Sequence, residues 1–263
     1  MEFFKSLYKN KKIIWQLGRN EFKNRFANTG LGAIWGFIQP FIFMLTYVIV
    51  FQYILKTGNS EEYPYIVWFL PGMSMWMGIN EAITNASGSI RAYSYLVKKV
   101  VFPIDVIPII SIISNAIVFG FLLIISIVVG LIYGYVPNVL MLIYIVFAMY
   151  CFVIAFTRFT SAICTMIPDF AQLLSILMQL FFWFTPIVWN LSMIAENSII
   201  AKILKCMPFT YLVSGLRQAF HIDNIVTRNY GLYTIIFWCI TIFIFVWGNY
   251  IFKKNKKDFA DVL

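Results

Sequence analysis

Six long apolar runs, nearly free of charge and separated by basic connectors, constrain this chain more than any other feature. A helix that crosses a bilayer needs about 20 apolar residues, and runs of that order cover Ala33 to Leu55, Ile66 to Ile83, Ile109 to Tyr133, Val139 to Thr157, Phe170 to Trp189 and Leu232 to Phe252. Lipid offers the backbone no hydrogen-bond partner, so such runs are expected to fold as helices. Composition agrees: 61% of the residues are hydrophobic and 12% charged, with a mean hydropathy of +0.82, against about 25% charged in a soluble domain. The expected fold is all-α, a polytopic integral membrane protein with six transmembrane helices.

Six spans place both termini on one side, and the basic residues choose that side. Cytoplasmic loops near span ends carry an excess of Lys and Arg. Lys5, Lys9, Lys11, Lys12, Arg19, Lys23 and Arg25 precede the first span; Arg91, Lys98 and Lys99 fall in the second connector, Arg158 in the fourth, and Lys253, Lys254, Lys256 and Lys257 in the tail. Fifteen of the 20 basic residues thus share one face, and both termini are expected in the cytoplasm. The second run is polar from Asn80 to Ser89, and Pro108 stands near the entrance of the third, where proline either kinks a helix or marks its first turn.

The net charge of +9 flanks the apolar runs, where anionic headgroups attract polybasic segments, so it reads as a membrane signature with no nucleic-acid partner. Cys151, Cys164, Cys206 and Cys239 lack metal-site spacing and are expected to pack as small hydrophobes. His221 is the sole histidine, so a histidine-based metal site would lack partners. Residues before the first run lack the short apolar core and small-residue cleavage site of a secretory signal, so that run is expected to remain uncleaved.

The connectors carry patterns of their own. From Lys11 to Phe26, Ile14, Trp15, Phe22 and Phe26 recur at helical spacing opposite Lys12, Gln16, Arg19, Asn20 and Lys23, as in a helix lying in the membrane interface. From Ser87 to Pro103, basic residues alternate with Tyr93, Tyr95, Leu96 and further apolar residues; this suits either a short helix docking a soluble partner or an ordinary basic loop. The connector from Asn190 to Gly231 is punctuated by apolar residues and divided by Pro208 into two helix-sized pieces, expected as short external re-entrant helices. Aromatics make up 19% of the chain and crowd the first and fifth runs. Their faces suit sugar rings, and an apolar path would also accept a lipid tail.

Three segments carry a family resemblance. The run from Glu21 to Pro40, EFKNRFANTGLGAIWGFIQP, resembles the E-x-K-x-R-[YF] and L-G-x-x-W opening of the type-2 ABC exporter permeases for O-antigens, teichoic acids and related cell-surface polysaccharides. KKVVFPIDVIP, from Lys98 to Pro108, is similar to their cytoplasmic K-x-x-F-P segment, and FFWFTPIVW, from Phe181 to Trp189, resembles their fifth-span signature. The order of the three matches the family, and so does the six-span plan over nearly the whole chain.

The resemblance implies a half-transporter. Residues 1–263 would form a single transmembrane permease domain, with 1–32 a cytoplasmic amphipathic segment, 33–252 the membrane domain, external helices about 190–231, and 253–263 a cytoplasmic tail. A second copy of the chain would complete a channel in the bacterial cytoplasmic membrane, and two separate ATP-binding cassette subunits would power export of a glycan on undecaprenyl diphosphate. No Gly-Lys dipeptide occurs anywhere, so there is no Walker A loop; ATP and Mg would be handled by the partner and no cofactor by this chain. Arg91, Tyr95, Leu96, Lys98 and Lys99 would couple to the ATPase. Arg25 and Lys23, then Arg19, with Gly30 and Gly32, would meet the diphosphate, which needs cations or backbone N–H groups. Trp35, Phe37, Phe41, Phe181, Phe182, Trp183 and Phe184 would line or gate the channel, and Pro186 would bend the fifth span. Successive helical side chains turn by about 100°, so at most two of the four consecutive aromatics can face one lumen.

Two other classes compete. Glu81, Asp105 and Asp169 near span ends would serve an ion-coupled secondary transporter, although no inverted repeat accompanies them. A membrane-embedded glycolipid transferase would require a convergent base and metal or phosphate site, for which one histidine and no carboxylate cluster are poor material.

Overall fold

The computed structural model describes residues 2–27, 29–56, 63–99, 103–195, 198–222 and 230–263. Among them every regular element is helical: α1 (Glu2–Arg25), α2 (Trp35–Val48), α3 (Tyr65–Ala92), α4 (Ser94–Lys99), α5 (Ile107–Ile132), α6 (Val139–Met166), α7 (Asp169–Phe184), α8 (Ile199–Cys206), α9 (Pro208–Ala219), α10 (Tyr230–Asn255) and α11 (Phe259–Val262). Among the described residues four segments are by themselves long and apolar enough to cross a membrane, namely Gly32–Ile54, Ile104–Ile132, Val139–Met166 and Gly231–Asn255. The protein is therefore a multi-pass membrane protein.

The second and fifth runs take forms that hydropathy alone did not convey. Helix α3 has 28 residues, about 42 Å at 1.5 Å per residue; its polar lower half is largely buried against α5 and α6, and its upper half meets α9. Buried Ser74 bonds the Ser126 hydroxyl at 2.8 Å, and Ser87 bonds Thr160, which keeps these hydroxyls satisfied away from water. At Gly78 a Cβ would come within 2.5 Å of the Phe119 ring, so α3 and α5 approach as closely as they do only because that side chain is absent. Helix α7 stops at Phe184, five residues short of the expected Trp189, because Thr185 turns extended (ψ 132°) ahead of Pro186.

Local sequence explains most other boundaries. Pro108 occupies the first turn of α5 rather than a kink, where its missing N–H costs nothing. Asn138 caps α6 by accepting from the Met141 N–H at 3.1 Å, and the helix runs nine residues past the expected Thr157 to Met166. Arg158, expected in a basic connector, is consequently inside α6 and 1% exposed. Ser198 caps α8 and Pro208 opens α9; the two helices, expected as two pieces divided at Pro208, bend by 76° at the break, a geometry that fits a broken span as well as a re-entrant loop. The four cysteines carry free thiols.

Helix α1 begins well before Lys11 and packs along α5. Ile14, Gly18 and Phe22 form its buried stripe, at i, i+4 and i+8, whereas Trp15, expected on the same face, is 53% exposed. A one-residue step rotates a side chain by about 100°, which carries Trp15 off the packed face.

Candidate functional site

Helices α2 and α7 both pack on α3, and the space between them is a cavity of about 570 Å³. Each helix lines it with one face. From α2 come Gly36, Gln39, Pro40, Phe43 and Tyr47; from α3 Met73, Trp76, Met77, Asn80 and Glu81; from α7 Ser175, Met178, Gln179, Phe182 and Trp183. Arg25 and Phe26, at the end of α1, close one end.

The aromatic part of the wall is continuous. The Phe182 ring lies 5.8 Å from Trp76, 6.3 Å from Tyr47 and 5.3 Å from Trp183, and Tyr47 lies 5.0 Å from Phe43. The polar part is not used up internally: among the described residues, Gln39, Asn80, Glu81 and Gln179 make no side-chain hydrogen bond within the protein, so their hydrogen-bonding capacity is open along this wall.

Arg25 is oriented by its neighbours. Its guanidinium donates to Asn115 Oδ1 at 3.2 Å and pairs with Glu21 at 3.6 Å, while Asn115 also accepts from Asn85 at 3.1 Å. Glu21 accepts from the Tyr93 hydroxyl at 2.8 Å and from Ser111 at 3.0 Å. Burial, followed by the hydrogen bond to Glu21, holds the Tyr93 phenol above its ordinary pKa, so it stays the donor. The Glu21 and Arg25 pair thus ties the end of α1 to α5 and to the end of α3, next to α4.

Of the expected channel residues, the cavity gathers Phe182 and Trp183. Phe37 packs between Phe22 and Phe121, and Phe181 lies 5.0 Å from Phe209; Trp35, Phe41 and Phe184 are exposed on α2 and α7 outside the lining. Of the expected diphosphate residues only Arg25 lines the cavity; Lys23, Arg19 and Gly30 are exposed nearby in sequence, and Gly32 turns the chain into α2 at φ +56°. Of the expected coupling residues, Tyr95 is 54% exposed on α4 and Leu96 half-buried. Arg91 instead donates to the Cys164 and Thr165 carbonyls at 3.0 and 2.8 Å, capping the end of α6. The side chains of Lys98 and Lys99 lie outside the described part. Of the three acidic residues, Glu81 lines the cavity, Asp169 is exposed, and Asp105 is engaged by Arg158 and Lys256.

Gln39, Asn80, Glu81, Ser175 and Gln179 are the residues that aromatic patterning passed over. Their signal was present as helical spacing: Met73, Trp76, Met77 and Asn80, and likewise Ser175, Met178, Gln179 and Phe182, fall at i, i+3, i+4 and i+7.

Membrane-crossing helices beside a cavity walled by aromatic rings and amide side chains define a polytopic membrane protein of permease-like build. The chain belongs to the ABC-2 type transporter family, whose model matches residues 12–221. It is 24% identical over 260 residues to the O-antigen export system permease protein RfbA of Myxococcus xanthus, covering 98% of this chain and 97% of that one. A Klebsiella pneumoniae O-antigen export system permease protein RfbA is 26% identical over 246 residues, covering 92% of each. The capsule polysaccharide export inner-membrane protein CtrC of Neisseria meningitidis is 28% identical over 94 residues, 36% of this chain and 35% of that one.

Proposed function

We propose that this chain is the permease subunit of an ATP-driven exporter that carries a cell-surface polysaccharide, linked to undecaprenyl diphosphate, across the bacterial cytoplasmic membrane. The observation that carries this reading is the cavity, whose aromatic faces suit the C–H faces of sugar rings and whose free amides suit their hydroxyls. Two near-full-length relatives named for O-antigen export support it. Two copies would face each other across α2 and α7, whose exposed Trp35, Phe41, Trp183 and Phe184 flank the cavity. Separate ATPase subunits would bind and hydrolyse ATP with Mg, docking at α4 and α1 on the cytoplasmic side, where both termini would lie.

Co-purification with candidate ATPase subunits, followed by ATP hydrolysis in lipid with and without an undecaprenyl-diphosphate glycan, tests the proposal. A stable complex stimulated by the glycan lipid supports it. A chain that moves solute along an ion gradient without a partner overturns it.

Two variants probe the separate parts. Arg25→Ala removes a charge-assisted donor, worth about 1.5–3 kcal/mol, and should raise the half-stimulating glycan-lipid concentration about ten- to a hundredfold while membrane insertion is kept; unchanged stimulation would remove Arg25 from the substrate path. Leu96→Asp places a charge in the proposed apolar contact of α4 and should cut co-purification with the ATPase about tenfold or more. Intact coupling in that variant would mean that Leu96 faces elsewhere.

A further inference from the structure

From the charge balance of the cavity we infer that the exported polymer is an uncharged glycan, not a polyanion with a phosphate or carboxylate in each repeat. The inference rests on the export reading above and names its substrate class. Among the described residues that line the cavity, Arg25 is the only cation and Glu81 the only acid. Arg25 is moreover already paired with Glu21. Counting Glu21, which stands behind Arg25 outside the lining, one cation meets two carboxylates with Glu81 ionised and one with Glu81 protonated. In neither state is the wall net positive, and a second copy across the lumen doubles the same balance without changing its sign.

A polyanion drawn through such a space loses hydration at every repeat and meets no compensating cation, which is the costly case for a desolvated charge. Charge complementarity along the path is how a conduit favours one polymer over another. An uncharged glycan needs what the wall does offer: donors and acceptors on Gln39, Asn80 and Gln179, and ring faces on Trp76, Phe182 and Trp183. The carrier's own diphosphate is a different problem. It occurs once per polymer and can be met at the mouth by Arg25, whereas a phosphate in every repeat has to be met along the whole wall.

The test uses the permease with its ATPase subunits in vesicles of phosphatidylethanolamine and phosphatidylglycerol. ATP hydrolysis is titrated with undecaprenyl diphosphate carrying an uncharged hexose oligosaccharide, and with the same lipid carrying a glycerol-phosphate oligomer of equal repeat number. The expected result is half-maximal stimulation at a concentration at least tenfold lower for the uncharged chain. Equal or tighter response to the glycerol-phosphate oligomer overturns the inference and leaves the export reading standing. No response to either overturns both. Glu81→Arg, which turns the wall positive, should shrink the preference by about tenfold; an unchanged preference would mean that the cavity does not set selectivity and would also overturn the inference.

Discussion

Arg217→Met is expected to destabilise the fold more than any other single substitution in α9. Arg217 is fully buried on α9, with its guanidinium 3.5 Å over the Trp68 ring. Its N–H groups donate to the Trp68 carbonyl at 3.0 Å, the Pro186 carbonyl at 2.6 Å and the Ile187 carbonyl at 2.7 Å. The last two belong to the stretch where α7 has ended and the backbone turns extended. Non-helical backbone at membrane depth persists only where protein satisfies its polar groups, so Arg217 is what allows the fifth apolar run to break after Phe184. Methionine keeps the bulk and strands the Pro186 and Ile187 carbonyls at about 1–3 kcal/mol each, a loss of several kcal/mol, while the Trp68 carbonyl stays within the backbone ladder of α3.

The expected readout is a large fall in the thermal unfolding midpoint of the purified protein in lipid, with reduced assembly. Arg217→Lys should recover only part, because one ammonium lacks the planar fork that serves three carbonyls. Gly72→Val should resemble Arg217→Met, since a Cβ at Gly72 would overlap the guanidinium itself. A midpoint unchanged in both Arg217→Met and Gly72→Val would show that the carbonyls find other partners and that the break does not depend on Arg217.

The contrast between Arg217 and the apolar runs shows which parts of this protein are legible in sequence. The runs at 33–55, 109–133 and 232–252 appear as helices with ends near those expected, and the run at 139–157 as a helix that starts where expected and continues to Met166, because length and hydropathy decide whether a segment can cross lipid. The break at Pro208 was legible for the same local reason, a missing N–H. Arg217 was not: in sequence it is one basic residue in a long connector, and only tertiary packing brings it to Pro186, 31 positions away. Arg158 misled in the opposite direction, since it looks like a loop charge until α6 runs on past it. The candidate site divides along the same line. Phe182 and Trp183 belong to a motif visible in the chain, whereas Gln39, Asn80 and Gln179 converge only because α2 and α7 pack on one face of α3.

Asp105→Ala should produce the second large effect, at the other end of the bundle. Arg158 on α6 lies between the rings of Phe3 and Phe252, 4.4 and 3.9 Å from their centroids. It donates to Asp105 Oδ1 at 3.2 Å and to Asn249 at 2.8 Å, and Lys256 pairs with the other Asp105 oxygen. One carboxylate therefore joins the start of α5 to α6 and the tail, and fixes Arg158 where it bridges α1 and α10. Nearby, Phe259 of α11 is buried against Phe252, and α11 packs on α4, the proposed docking element. Removing the carboxylate leaves Arg158 buried without its counter-charge, a loss of about 3–5 kcal/mol for a broken buried pair, seen as a lower unfolding midpoint. Asp105→Asn, which keeps an acceptor, should lose less. The decisive variant is the double Asp105→Ala, Arg158→Met: with both charges gone and methionine packing between Phe3 and Phe252, it should unfold at a higher temperature than Asp105→Ala alone, because the penalty lies in the stranded cation rather than in the missing pair. A double variant no more stable than the single would mean that the guanidinium bonds to Asn249 and its ring contacts, not the carboxylate, hold this end of the bundle together.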